Sequence, residues 1–231
     1  QKLKLIFQGP DLTPTVAMLD PVMTKTLPPE LTATTGMDAL SHCIEAIHSN
    51  LHEPITDGIS LHAIRLIATY LRGAVADGAD IEARTYMLIA ANMGGIAFSN
   101  AYTGIVHALS HACGGQLGTA HGLANAVILP YGMEFNLKYT EQEIPARYRM
   151  VAEALGLDVR GDDDITAARK AVDYVRELAS DIGMPTRLRD AGVPADGLGA
   201  AARDSVMEGP IFNNPGECTY DDALDLFKRA Y

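Results

Sequence analysis

All seven histidines of this 231-residue chain fall between positions 42 and 121. Four of them, with Asp38, sit in two segments, TTGMDALSHCIEAI at 34–47 and VHALSHACGGQLGTAHGLANA at 106–126. Asp38 and His42 are four apart, and so are His107 and His111. Side chains four apart on an α-helix lie one above the other on the same face. A chain in which both pairs aim at one point must therefore set two helices side by side. A Gly-rich stretch must then return His121 to the same place.

The remainder of the sequence supports a largely helical fold. Residues 2–7 (KLKLIF) and 15–19 (TVAML) are short, apolar and bounded by Gly and Pro, which predicts two strands. Two strands do not make a stable sheet alone. After Pro28-Pro29 the pattern becomes helical almost throughout. A helix capped by Thr34 or Thr35 is expected to run to about Ser49, with Met37, Leu40, Ile44 and Ile47 on its apolar stripe. Pro54 suits the first turn of a second helix with Ile59, Ala63, Leu66, Ile67 and Tyr70 inward. A third, over 80–100, is rich in Ala and Gly and permits close helix approach. His107 to His111 form a short helix ended by Gly114-Gly115, and further helices are expected at 122–137, 141–155, 164–182, 195–207 and 219–230. The expected fold is mainly α, a helical bundle with a short β appendage at its N-terminus.

The net charge of −11 argues against a nucleic acid or an anionic membrane as partner. No apolar run is long enough to cross a bilayer. Cys43, Cys113 and Cys218 are odd in number and lack CxxC spacing, which predicts free thiols and a cytoplasmic protein.

Carboxylate with neutral imidazole is a ligand set for a divalent ion such as Fe²⁺ or Zn²⁺. Asp38, His42, His107 and His121 supply four candidate ligands. His111, one turn from His107, is left to face an open coordination position and to shuttle protons. Asn100, Ser110 and Asn125 are candidates for orienting the ligands. His62 is expected on a helix surface or in packing, and His48 and His52 in loops. An Asp/His site with an open position also suits a metal-dependent hydrolase. A further alternative is a helical half that binds a metal or a partner and does no chemistry alone.

LPPELTATTGMDALSHCIEAI and FSNAYTGIVHALSHACGGQLGTAHGLANAVILPYGMEFN resemble the two signatures of the iron-containing (group III) alcohol dehydrogenases. The likeness extends to PTVAMLDP, PITDGISLHAIRLI and NNPGECTYDDALDLFKRAY, so it spans nearly the whole chain. The resemblance implies a metal held by Asp38, His42, His107 and His121, iron before zinc. It places His111 beside a nicotinamide and Lys4 near the dinucleotide. The GGGS-type and TTxGTGSE-type segments of that family are missing here. Residues 1–27 are therefore expected to be the terminal strands of a truncated dinucleotide-binding domain, and 28–231 the helical metal-binding domain. The implied activity, in the intact enzyme, is interconversion of a small alcohol and its aldehyde or ketone with NAD or NADP. An apolar cleft wall left bare without the other domain invites self-association, so a homo-oligomer is expected.

Overall fold

The computed structural model describes residues 9–231, so the strand expected at 2–7, and Lys4 with it, lie outside the described residues. Among those described, nine α-helices follow one another and no strand is present. They are α1 (Pro29–His48), α2 (Pro54–Ala76), α3 (Ile81–Ala101), α4 (Ile105–Ala112), α5 (His121–Asn136), α6 (Ile144–Ala154), α7 (Asp164–Asp181), α8 (Leu198–Ser205) and α9 (Tyr220–Ala230). The helical bundle is as the sequence predicts. The strand expected at 15–19 is corrected: this stretch forms no strand, with Val16 74% and Met18 88% exposed. A strand exists only where a neighbour takes up its N–H and C=O groups, and the described residues offer no such edge.

The helix starts follow local chemistry. Glu53 caps α2 through a reciprocal box with Thr56, with Pro54 in the first turn. Asp80 accepts from the Ala83 N–H at 3.0 Å and opens α3, and Asp163 does the same for α7 through Thr166. The first helix departs from expectation. It begins at Pro29, a residue preorganised for a first helical turn, five positions before Thr34. The Thr34 and Thr35 hydroxyls donate back to the carbonyls of Glu30 and Leu31 instead of capping.

Helix α1 runs through the centre of the molecule and packs against α2, α3, α5 and α6. Met37, Leu40, Ile44 and Ile47 are fully buried, each worth about 1.5–3 kcal/mol relative to exposure. The small residues of α3 allow the close approach expected of them: a Cβ on Gly94 would stand 3.3 Å from the Ala39 carbonyl oxygen on α1. Helix α4 packs in turn on α5 and α8. The junctions of α1 with α5 and of α4 with α5 bring the two histidine-bearing segments together.

Candidate metal centre

One stripe of α1 is polar, half-buried at Asp38 and His42 and fully buried at Glu45 and His48. Asp38, His42 and Glu45 recur at i, i+4 and i+7, and His48 follows one turn later. Helix α4 presents His107 to this stripe, with His111 one turn on beside His107 and His121. After α4 a π-helical turn over Cys113–Leu117, closed by Gly118 at φ 73°, reverses the chain. His121 then becomes the first residue of α5. Its neighbour Gly122 sets the closeness of α5 to α1, since a Cβ there would lie 2.6 Å from the Thr34 carbonyl oxygen.

This packing brings Asp38, His107 and His121 to one point. Each offers a ligand atom, and the three atoms lie within 4.8 Å of one another. Asp38 Oδ1 stands 3.5 Å from His121 Nε2 and 3.8 Å from His107 Nε2. The side-chain amide nitrogen of Asn125 reaches all three, at 2.5 Å from Asp38 Oδ1, 3.2 Å from His121 Nε2 and 3.3 Å from His107 Nε2. One carboxylate oxygen and two imidazole nitrogens thus converge on a single electropositive group. That donor set fits a divalent cation with borderline ligand preference. The Ser110 hydroxyl donates to Asn125 Oδ1 and fixes the amide.

His42 is adjacent but not convergent with those three atoms. Its ring is stacked between Phe98 of α3 and His107, with centroids 4.3 and 4.5 Å away. Burial foremost, then the nearby His107, push His42 down to about 3, so it is a neutral imidazole at pH 7. His111 is buried, its ring 5.2 Å from that of His121, and its Nδ1 lies 3.4 Å from Glu208 Oε2. Asn100 does not belong here. It is exposed and donates to the Ile96 carbonyl, closing its own helix turn. The Cys43 and Cys113 thiols, pushed up to about 12 by burial, carry no thiolate for a ligand.

Glu45 escapes the reading of the sequence. It is fully buried, and Oε1 accepts from the backbone N–H groups of Gly104 and Val106 at 2.9 Å and of His107 at 3.3 Å. Its other oxygen, Oε2, meets His107 Nδ1. Burial alone would raise its carboxyl, but His107, His48 and the Gly104 N–H bring it down to about 2. A glutamate amid Cys43, Ile44, Ala46 and Ile47, seven residues from Asp38, was the available signal. His48 is also corrected: it closes α1 and is buried, with Nδ1 2.8 Å from the Tyr148 hydroxyl. His52 lies in a turn beside Asp57, and His62 on the exposed face of α2, as expected.

The family model described as Fe-containing alcohol dehydrogenase family, C-terminal, matches residues 32–231. The chain belongs to that family. It is 38% identical over 230 residues to 1,3-propanediol dehydrogenase of Klebsiella pneumoniae, covering 100% of this chain and 58% of the relative. It is 35% identical over 231 residues to lactaldehyde reductase of Escherichia coli (strain K12), covering 100% of this chain and 59% of the relative. Among solved structures, a 1,3-propanediol oxidoreductase superposes with a TM-score of 0.88 at 40% identity, over 92% of this chain and 55% of that one. An iron-containing alcohol dehydrogenase from Thermococcus thioreducens gives 0.87 at 34% identity, over 96% and 56%. The chain thus spans somewhat more than half the length of these relatives, and the nine helices of its described residues match the helical C-terminal part of the iron-containing alcohol dehydrogenase fold.

Proposed function

We propose that this chain is the metal- and substrate-holding half of an alcohol dehydrogenase that interconverts small alcohols and aldehydes with NAD or NADP. The observation that supports it best is the convergence of Asp38, His107 and His121 on one point within a chain of this family. These three, with His42 from the next turn of α1, would hold the ion, Fe²⁺ before Zn²⁺. When bound, the ion supplies Lewis acidity to the reacting C–O bond.

The chain's own residues do the rest. The Asp38 carboxylate balances part of the ion's charge, and the imidazoles contribute neutral donors. His111, between the His121 ring and the half-buried Glu208 carboxylate, carries the proton exchanged with the substrate oxygen and borders the nicotinamide. Residues 1–27 and Lys4 belong with a dinucleotide-binding domain, and 28–231 form the catalytic helical domain. Exposed apolar side chains at Leu12, Val16, Met18, Val22 and Met23 favour such a covering neighbour. The relatives named for propanediol and lactaldehyde point to a short, polar alcohol as substrate. Free, buried cysteines and the acidic charge favour a cytoplasmic enzyme without nucleic-acid or membrane partners, able to form homo-oligomers.

Chelation of the intact enzyme tests the proposal. NAD(P)-coupled alcohol oxidation is expected to disappear and to return with Fe²⁺ or Zn²⁺. Activity that survives metal removal, or ester hydrolysis without nicotinamide, would contradict it.

A further inference from the structure

We propose that Glu45 is a positioning residue that fixes the tautomer of His107, holding the ring proton on Nδ1 so that the Nε2 lone pair faces the metal point. This deepens the metal-centre reading and rests on it. The two edges of the His107 ring meet opposite chemistry. On one edge, Nδ1 meets Glu45 Oε2, which as a carboxylate oxygen can only accept a proton. On the other, Nε2 faces the point shared with Asp38 Oδ1 and His121 Nε2, where a cation needs a lone pair. A neutral imidazole carries one proton, so the acceptor at Nδ1 decides what Nε2 presents.

The placement of Glu45 makes the control stiff. Oε1 is committed to the N–H groups of Gly104 and Val106, which open α4, so Oε2 cannot swing away from His107 without releasing them. The same helix, α1, carries Asp38 two turns earlier. One element therefore supplies both a ligand and the group that aims a second ligand from α4.

A purely structural role, capping α4, makes a different forecast from a tautomer-setting role, and Glu45→Gln separates them. Glutamine keeps an oxygen for the Gly104 and Val106 N–H groups, but offers an N–H₂ group to Nδ1. The ring proton would then move to Nε2 and block the metal point. Long-range ¹H–¹⁵N spectra of the metal-free chain at neutral pH read the tautomer directly, and a Co²⁺ titration reads the consequence. In the wild-type chain His107 is expected as the Nδ1–H form. In Glu45→Gln it is expected as Nε2–H, with Co²⁺ affinity lowered about 10- to 100-fold. An Nε2–H signal in the wild type overturns the inference even if the variant fails to fold. So does a folded variant that retains the Nδ1–H form or binds Co²⁺ as tightly as wild type. A wild-type chain with the expected tautomer and no Co²⁺ binding overturns instead the metal-centre reading beneath it.

Discussion

Asp38 is the sole anion in the proposed ligand set, so the Asp38→Asn change removes the one charge that offsets the ion. Metal affinity is expected to fall by more than about 100-fold, beyond the about 10–100-fold typical of losing a partner outside the ligands. Equilibrium dialysis measures it, and unchanged stoichiometry and affinity would defeat the assignment. The opposite pattern is expected for His111→Ala. Metal content should stay, while turnover of the intact enzyme falls about 10²–10⁴-fold for loss of a general acid–base group. Loss of metal instead would exchange the roles of His107 and His111. Asp38 and His107 were legible because each opens a pair spaced four apart on one helix face, and His121 because a Gly-rich stretch can return the chain to the same place. Glu45, Phe98 and Glu208 were not, because each acquires its meaning from a partner on another element. His48 was not legible as a buried residue, because its burial depends on Tyr148, a hundred positions away.

Among the elements, the junction of α1 and α5 does most to place the centre. A Gly122→Ala change would ordinarily favour a helix by about 0.5–1 kcal/mol. Here the added methyl meets the Thr34 carbonyl oxygen at 2.6 Å, on backbone that cannot turn aside. Overpacking costs about 1–3 kcal/mol, so the clash wins. The variant is expected to melt earlier and to bind metal more weakly, because His121 moves with α5. A more stable variant in thermal denaturation would show that this contact does not set the spacing. The helices themselves were readable from apolar periodicity and, for α2, from Pro54 at its start. The start of α1 was not, since threonines favour caps by propensity but here bond backward into a helix already begun at Pro29. The strand at 15–19 was misjudged because a short apolar run bounded by Gly and Pro describes a segment that could pair, and pairing needs a neighbour.

At the scale of the molecule, the buried imidazoles tie folding to pH. Burial holds His48 down to about 4, against the opposing pull of Glu45, compared with an ordinary 6.5. The unfolded chain therefore takes up this proton first. Stability is full above about pH 6.5 and is lost as pH falls toward 4, at about 1.4 kcal/mol per pH unit for this group. His42, shifted the same way, steepens the fall and extends it toward pH 3. Glu45 adds a loss between about 4.5 and 2. Melting temperatures of the metal-free chain should plateau above neutrality and drop through pH 6 and 5. A flat profile there would show that His48 is not buried in neutral form. The metal centre itself is tested most directly by anomalous diffraction from crystals soaked in Fe²⁺ or Zn²⁺. The prediction is one peak within about 2.0–2.2 Å of Asp38 Oδ1, His107 Nε2 and His121 Nε2, with the His42 ring turned in as the fourth ligand. No peak between α1, α4 and α5, or a peak bound by other side chains, would contradict it.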